Sequence, residues 1–286
     1  MLAVLCTCSI SYACDICGSG MSNYNPNLLP HLNKNFIGIN YLHRSYKINS
    51  DGYPSYQRFD AGTINVQLGF LEKLQAVLSI PFQNNRLNNG DGNKTVNGFG
   101  DATMLINYEV WQQKSIGKKQ TFIAGAGIKL PSGKYEAAKT TALEVQTFQE
   151  GSGSMDYIFN AAYSLSRKSW LFASTVSYKY NTANKDGFRY GDIFTATATT
   201  GYTVDCNPAT ITPYLQLKQE QFLPNADAHK LQRSTGGNVL SAATGADVNI
   251  NKLSIGGAFS LPVYQNLAKG NITVRPAFNA HISFTL

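Results

Sequence analysis

The stretch Asn271–Leu286, with the sequence NITVRPAFNAHISFTL, divides its side chains almost completely by residue parity. The even positions carry the apolar residues Val274, Phe278, Ala280, Ile282, Phe284 and Leu286. The odd positions carry the polar residues Thr273, Arg275, Asn279, His281, Ser283 and Thr285. Because successive side chains of a β-strand point to opposite faces of the sheet, this pattern predicts a strand with one apolar and one polar face.

The composition favours an apolar surrounding for this strand over water. The 286-residue chain contains 25 Gly, 16 Tyr and 15 Phe, and 14% of its residues are charged, against about 25% in soluble proteins. No run of about 18 apolar residues follows the N-terminus, which excludes a helical membrane span there. A membrane location then requires a closed barrel, since closure satisfies every backbone hydrogen bond.

The same alternation recurs along the chain from Phe36 onward. It gives about twelve segments, an even number as single-chain bacterial barrels have. The predicted strands are Phe36 to Lys47, Phe59 to Phe70, Leu74 to Phe82, Phe99 to Trp111, Thr121 to Leu130, Met155 to Leu165, Trp170 to Tyr180, Asp192 to Val204, Thr210 to Phe222, Val239 to Ile250, Leu253 to Val263 and the final stretch. Aromatic residues lie at both ends of several segments, as expected where a barrel wall meets the lipid headgroups.

The connections between these segments alternate in length. The short ones are Leu71 to Lys73, Gln113 to Lys119, Ser166 to Lys168, Asp205 to Pro208, and Asn251 with Lys252. The long ones include Asn84 to Gly98, Ser132 to Ser152 and Leu223 to Gly237. Short periplasmic turns and long extracellular loops produce this alternation in outer-membrane barrels. Soluble β-sandwiches are not expected to show it. The sequence therefore predicts an all-β fold, a single antiparallel up-and-down transmembrane β-barrel over residues 36–286.

The N-terminal residues 1–13 are interpreted as a signal peptide. Leu2 to Ala13 is largely apolar, and small residues at Ser11 and Ala13 suit a signal peptidase, although no positive charge other than the N-terminus precedes the apolar run. Cleavage there leaves Cys14 first, which also fits an acylated lipoprotein. Residues 14–35, with Pro26 and Pro30, are expected to form a periplasmic segment.

Three cysteines remain after cleavage. Cys14 and Cys17 form a CxxC, and Cys206 falls in a short turn on the same predicted side of the membrane. A disulfide in the oxidising periplasm is one interpretation, while a thiolate metal site or a redox pair are the others. No cofactor is expected from the remaining motifs.

Two glycine-rich motifs are interpreted as structural. Gly98 to Asp101 lacks the Gly, Lys and Ser/Thr of a phosphate-binding loop and is expected to begin a strand. Asn88 to Asn93 lacks the bidentate Glu of a calcium loop and is expected to form a loop tip. The Lys and Arg that give the net charge of +7 are scattered singly, so nucleic acid is not expected as a partner.

Several short motifs together resemble a known family. They are Cys14-Asp15-Ile16-Cys17-Gly18, Leu29-Pro30-His31 leading into Phe36-Ile37-Gly38, Leu78-Ser79-Ile80-Pro81-Phe82, Gly98-Phe99-Gly100-Asp101 and Gly127-Ile128-Lys129-Leu130-Pro131-Ser132-Gly133. The pattern resembles a transporter family of Gram-negative outer-membrane barrels labelled after the meta-pathway of phenol degradation. The resemblance implies an outer-membrane channel or transporter and supplies no catalytic residues.

The polar face of each strand supplies the candidate lumen-lining residues. They are Arg44, Gln67, Asn107, Glu109, Lys129, Asp156, Lys179, Lys218, Arg275 and His281. Mixed charge at these positions suits either a solvated pore or a salt-bridged interior that fills the barrel.

The expected function is a conduit for small solutes in the bacterial outer membrane, with small hydrophobic or aromatic compounds as one solute class. Outer-membrane lipid and, during biogenesis, the barrel-assembly machinery are the other expected partners. We expect no enzymatic activity, because the His and Ser residues form no nucleophile and base motif. The alternatives are an outer-membrane hydrolase and a non-conducting barrel whose cysteines bind a metal or a periplasmic partner.

Overall fold

The computed structural model describes residues 35–50, 53–89, 92–136 and 148–286. The predicted signal peptide, Cys14, Cys17 and nearly all of the predicted periplasmic segment lie outside these ranges. Within them the chain is nearly all β-strand, and no helix has the length and apolar character needed to cross a bilayer.

The strands of the described residues are numbered β1 to β18 in chain order. Their bounds are β1 Phe36–Ser50, β2 Tyr53–Leu71, β3 Leu74–Asn89, β4 Gly92–Phe99, β5 Thr103–Ser115, β6 Lys118–Lys129, β7 Asp156–Arg167, β8 Trp170–Tyr180, β9 Phe188–Arg189, β10 Ile193–Tyr202, β11 Val204–Cys206, β12 Ala209–Phe222, β13 Ala226–Asp227, β14 Lys230–Leu231, β15 Gly237–Ile250, β16 Leu253–Leu267, β17 Ile272–Val274 and β18 Ala277–Thr285.

Fifteen of these strands form one antiparallel sheet that closes on itself. The strands β4 and β5 share one position in the wall, as do β10 with β11 and β17 with β18, so the barrel has twelve wall strands. Closure comes from β18, which pairs with β1 on one side and with β16 on the other. The predicted twelve-stranded up-and-down barrel is confirmed.

All five connections at one end of the barrel are two-residue turns. They lie at residues 72–73, 116–117, 168–169, 207–208 and 251–252. Gly117 has a φ of +70°, a value that glycine adopts without steric cost. The first and last wall strands also begin and end here, where Phe36 pairs with Thr285. Short turns mark this end as periplasmic, and the opposite end as extracellular.

The extracellular end departs from the prediction at two hairpins. The expected connection between the first two strands is paired, since β1 and β2 stay in register to Ser50 opposite Tyr53. The expected loop Asn84 to Gly98 is a paired hairpin, in which β3 and β4 stay in register from Phe82 opposite Phe99 to Asn89 opposite Gly92. Its outward residues Asn84, Arg86 and Asn88 are polar, so the apolar alternation that marks a lipid-facing strand is missing there. True connections remain between β6 and β7, β8 and β10, and β12 and β15. The short strands β9, β13 and β14 form a small second sheet within the last two.

The outer face of the wall is a continuous apolar belt. Large side chains such as Phe159, Phe172, Leu217 and Ile282 are between 44% and 54% exposed on outward positions. The inward positions of the same strands are buried. This is the arrangement of a membrane barrel, in which lipid solvates the outside.

The last stretch contains a break in parity that the sequence did not predict. Between β17 and β18 three residues face two residues of β1, since Val274 pairs with Tyr46 and Phe278 pairs with His43. This bulge at Arg275 and Pro276 reverses the two faces, because one extra residue shifts the side-chain alternation by one. Val274, expected on the lipid face, is therefore buried inside, and Arg275 is exposed.

Candidate functional site

Most predicted lumen-lining side chains lie on the inward face. Seven of them are buried, namely Arg44, Gln67, Asn107, Lys129, Asp156, Lys179 and His281. Glu109 and Lys218 are half-buried. Arg275 is the exception, because the bulge turns its side chain outward, where its guanidinium lies 5.8 Å from the centre of the Tyr56 ring. The expectation that Arg275 lines the lumen is therefore wrong.

A charge cluster lies inside the barrel on β1 and β12. Arg44 Nη2 lies 3.2 and 3.3 Å from the two carboxylate oxygens of Glu220, and Lys218 Nζ lies 3.1 Å from Glu220 Oε2. The side chains of Arg44 and Glu220 are 10% and 14% exposed. The cluster carries one more positive than negative charge. These three side chains therefore present net positive charge to the interior.

A small cavity adjoins this charge cluster. It has a volume of about 60 Å³ and its lining includes Leu42, Arg44, Glu220, Ala258 and Asn279. A cavity of this size holds a few water molecules. Both polar and apolar side chains thus line this cavity.

An apolar cluster occupies the extracellular half of the interior above this cavity. It consists of Tyr46, Ile48, Phe59, Leu87, Phe148, Ile193, Phe222, Val239, Leu267, Ala268, Ile272 and Val274. Phe59 is its centre, with ring centroids 5.7 Å from Tyr46 and 6.1 Å from Phe148 in edge-to-face geometry. Phe148 comes from the β6–β7 connection, so this loop contributes to the cluster directly. We refer to this group as the apolar cluster.

A second charge cluster, which we call the Lys129 cluster, holds that same loop against the wall. Lys129 Nζ lies 2.9 Å from Asp101 Oδ2 and 2.7 Å from Asp156 Oδ2, and it also contacts Ser152 Oγ. The Ser152 N–H donates to Asp101 Oδ2 at 2.9 Å, and the Gly133 N–H donates to Asp101 Oδ1 at 3.0 Å. The three charged side chains are at most 6% exposed. Buried charges of this kind are stable because each finds an opposite charge and further hydrogen bonds.

Amide and hydroxyl groups connect neighbouring strands at mid-height. Asn160 donates to Asn107 Oδ1 at 3.1 Å across β6, and Ser79 donates to Asn65 Oδ1 at 2.7 Å. Gly125 lies between Asn107 and Asn160, and a Cβ there would collide with both amides. This glycine allows the amide pair to form. Nearer the periplasmic end, His281 Nε2 lies 3.5 Å from Asp247 Oδ1.

A polar pocket lies at the periplasmic end. It is lined by Gln75, Glu109 and Gln112, and Gln112 donates to Glu109 Oε2 at 2.9 Å. Glu109 thus belongs to the periplasmic mouth of the barrel. Polar side chains thus line this mouth, whereas the extracellular half of the interior contains the apolar cluster beside the two charge clusters.

The extracellular connections hold one another in place. Tyr135 donates to Asp186 Oδ2 at 2.7 Å, and Asn184 donates to the Tyr135 oxygen at 2.9 Å. Burial and the hydrogen bond to Asp186 raise the pKa of the Tyr135 phenol above its ordinary value. Arg189 Nη2 lies 2.8 and 2.9 Å from the two oxygens of Asp192. The β6–β7 and β8–β10 connections therefore form one joined surface above the lumen.

Several of these residues were missed in the sequence. Glu220 shares its parity with the predicted Lys218, so alternation alone could have identified it. Asp101 and Ser152 lie outside the wall strands, where parity gives no signal. Asp101 follows Gly100 at the break between β4 and β5, and this break turns its carboxylate toward Lys129.

The cysteine hypothesis stays a prediction. Cys206 is exposed on β11 at the periplasmic end, beside the turn into β12. Its proposed partners Cys14 and Cys17 lie outside the described residues. Within the described ranges, no group of three or more His, Cys, Asp or Glu side chains is placed to hold a metal ion.

Comparison with known proteins agrees with this architecture. Residues 53–230 match the family described as "Putative MetA-pathway of phenol degradation". No curated protein matches the chain significantly. The structure is similar to that of the COG4313 outer membrane channel from Pseudomonas putida F1, with a TM-score of 0.68 and 13% identity over 88% of this chain and 96% of that one.

A second solved structure shares the fold more distantly. The beta domain of the Bordetella autotransporter BrkA superposes with a TM-score of 0.51 and 10% identity over 89% of this chain and 100% of that one. At such identities the likeness concerns the fold alone. The family match covers most of the chain, and the apolar belt fits a lipid environment, so the protein is located in the bacterial outer membrane. The chain belongs to the outer-membrane β-barrel family named after the MetA pathway of phenol degradation.

Proposed function

We propose that this protein is an outer-membrane conduit for small solutes that combine an apolar body with a polar group. The observation that carries the proposal is the apolar cluster inside the closed barrel, which lies directly above the charge cluster of Arg44, Lys218 and Glu220. The likeness to a solved outer membrane channel supports the proposal at the level of the fold.

The chemistry of the interior suggests the solute class. A sugar or free ion entering from outside would lose water against the apolar cluster without gaining hydrogen bonds, and this costs free energy. An aromatic or aliphatic solute would replace the contacts among Tyr46, Phe59 and Phe148. Its polar group would then meet Arg44 and Lys218 below. We therefore propose small hydrophobic or aromatic compounds, anionic ones in particular, as the transported class.

The described arrangement is a closed one. Phe59 is 4% exposed and Phe148 is 2% exposed, so the apolar cluster leaves no wide aqueous passage on its side of the lumen. Phe148 belongs to a connection and not to the wall, so its ring can move without breaking a strand. Opening then requires displacement of the β6–β7 connection, and the Lys129 cluster resists that displacement.

Uptake into liposomes tests the proposal. Refolded protein in liposomes is expected to admit a small aromatic carboxylate such as benzoate, tested at a pH at which it is ionised, faster than a sugar of similar size. Phe59→Ala should raise the uptake of both solutes, because it opens the apolar cluster. Phe172→Ala, which removes a ring from the lipid face, is the matched control and should change neither. Equal background uptake of benzoate with and without folded protein would exclude the proposed function.

An enzymatic role is not part of this proposal. Lys129 Nζ contacts Ser152 Oγ, as a base beside a nucleophile would. The Lys129 ammonium already serves two carboxylates as their counter-ion, and the group is buried. A general base needs a free lone pair directed at the nucleophile. We propose instead that this cluster fixes the β6–β7 connection.

We also propose that the assembly machinery of outer-membrane barrels inserts the protein into the membrane.

A further inference from the structure

A row of arginines crosses the outer face of the barrel near its extracellular end. The Arg275 N–H donates to the Ser45 carbonyl oxygen at 2.9 Å, Ser45 pairs with Arg58, and Arg58 pairs with Arg86 on the next strand. Arg58 and Arg86 are exposed, as is Arg275. We call Arg58, Arg86 and Arg275 the arginine row. Lys47 lies on the same outward side of β1, two residues beyond Ser45.

The arginine row has no counter-charge in an ion pair among the residues that the structure describes. Side chains directly opposite in an antiparallel pair have Cβ atoms about 5 Å apart, and like charges at such positions repel. Within the described ranges, Asp60 is the acidic residue on this face, but its carboxylate accepts from Tyr41 at 2.8 Å and lies 2.6 Å from His43 Nδ1. Among the described side chains, none forms an ion pair with the arginine row. An external anion would relieve this repulsion.

The position of the arginine row along the membrane normal indicates which kind of anion it can meet. Phe82 and Phe99 form an outward aromatic pair, with ring centroids 5.4 Å apart, of the kind that marks the border of the hydrocarbon layer. Arg86 lies four residues beyond Phe82 on β3, which places it roughly 10 Å farther along the barrel axis for a tilted strand. The polar headgroup layer extends about 5 to 8 Å beyond the hydrocarbon. Long arginine side chains can therefore reach the headgroup layer.

The side of the membrane is fixed by the topology. The arginine row lies at the end opposite to the two-residue turns and to the β1 and β18 termini, hence on the outer leaflet. In Gram-negative bacteria this leaflet consists of lipopolysaccharide, whose lipid A disaccharide carries phosphate groups. Guanidinium groups bind phosphate through paired, charge-assisted hydrogen bonds. Tyr56, Thr95 and Asn97 line the same cleft as the arginine row and offer hydrogen bonds to sugar hydroxyls.

We propose that the arginine row is a binding site for a lipid A phosphate of the outer leaflet. The lipid lies against the outside of β1 to β4 and β17, and its phosphate bridges Arg58 and Arg86, with Arg275 adjacent. Because this site lies on the outside of the wall, it does not depend on whether solutes pass through the lumen. It gives the protein a preferred lipid neighbour at the strands that support the apolar cluster from outside.

Native mass spectrometry of the refolded protein with added lipid A tests this site. The dissociation constant of the wild-type barrel for lipid A is expected to be roughly tenfold lower than for the same lipid without its phosphates. This ratio corresponds to about 1.4 kcal/mol of binding free energy. The triple variant Arg58→Gln, Arg86→Gln, Arg275→Gln should bind both lipids equally weakly. The control variant Lys73→Gln, Lys114→Gln, Lys168→Gln removes three charges from the periplasmic end and should bind lipid A like the wild type.

Each result of this experiment supports or overturns the proposal. Equal binding of the two lipids by the wild type overturns it, and this comparison requires no variant to fold. Retention of lipid A by a triple variant that keeps the gel mobility of a folded barrel also overturns it. Displacement of lipid A by inorganic phosphate at millimolar concentration would show a site for the free anion and would contradict a lipid site. Loss of lipid A binding by the control variant would show non-specific charge attraction.

Discussion

Along β7 the outward side chains Tyr157, Phe159 and Tyr163 are exposed and apolar, whereas the inward side chains Asp156 and Asn160 are buried and polar. Both sets belong to one backbone and share its ladder hydrogen bonds. The difference lies in the partners that each side offers. Lipid offers none, so a polar group outside is costly at mid-membrane. Inside, Asp156 meets Lys129 and Asn160 meets Asn107, so polar groups are tolerated wherever a neighbouring strand satisfies them.

The comparison extends to both ends of the barrel. Outside, the apolar belt gives way to the arginine row at the extracellular rim, where headgroups replace hydrocarbon. Inside, the extracellular half contains the apolar cluster together with the buried ion pairs of Lys129, and polar side chains line the periplasmic mouth. The outer gradient follows the membrane. The inner arrangement has no counterpart in the surroundings and is the part of the molecule available for a specific function.

The largest expected effect comes from the inner face. Lys129→Ala leaves Asp101 and Asp156 buried without their counter-ion, and breaking such a pair costs about 3–5 kcal/mol. We expect a lower midpoint of urea unfolding in lipid vesicles and a released β6–β7 connection. Lys114→Ala, an exposed lysine on β5, is the control. Equal midpoints for the two variants would refute the structural role of the Lys129 cluster.

A charge at mid-membrane on the outer face has the next largest effect. Phe159→Arg places a cation against lipid, which costs about 2–4 kcal/mol near the bilayer midplane. Asn160→Arg, one residue away, points into the interior and should cost clearly less. The folded fraction in lipid vesicles, measured by heat-dependent gel mobility, compares the two. Similar losses in both variants would show that β7 does not separate lipid from lumen.

The smallest expected effect lies in the extracellular connections. Tyr135→Phe removes a hydrogen bond to Asp186, a loss of no more than about 1 kcal/mol for a partly exposed group. Backbone hydrogen exchange in residues 131–136 should accelerate while the barrel midpoint stays unchanged. Unchanged exchange would show that Tyr135 does not hold the connection.

The pH dependence of this contact has a definite sign. The folded protein raises the pKa of the Tyr135 phenol above the ordinary value of about 10. The stabilising contribution is therefore fully present below about pH 10 and is lost as the pH rises through the higher folded-state pKa. Exchange in wild-type protein should approach that of the variant only in this alkaline range.

Residue parity was sufficient to predict the wall of the barrel and most of its inward side chains. Arg44, Asn107 and Lys179 share the parity of their strands' polar faces and are buried. Parity failed at Arg275, because a one-residue bulge reverses the faces and alternation alone does not show where a bulge lies. Parity also did not indicate the paired β3–β4 hairpin. Its outward residues are polar because they lie beyond the apolar layer of the membrane.

The apolar cluster could have been predicted only in part. Phe59 shares the parity of the inward residue Asn65, and Phe222 shares the parity of Lys218. Both phenylalanines could therefore have been assigned to the interior. Phe148 belongs to a connection and joins them through the tertiary fold alone. The partners of Lys129 show the same limit, since Asp101 and Ser152 are brought together from a strand break and a loop.

Single-channel conductance in a planar bilayer shows whether the lumen conducts. Rare or small current steps are expected for the wild-type protein, because the apolar cluster closes the lumen. Larger and more frequent steps are expected for Phe59→Ala, and wild-type behaviour for the lipid-facing control Phe172→Ala. If Phe59→Ala is folded and as silent as the wild type, the lumen is not a conduit closed by the apolar cluster, and the account is contradicted.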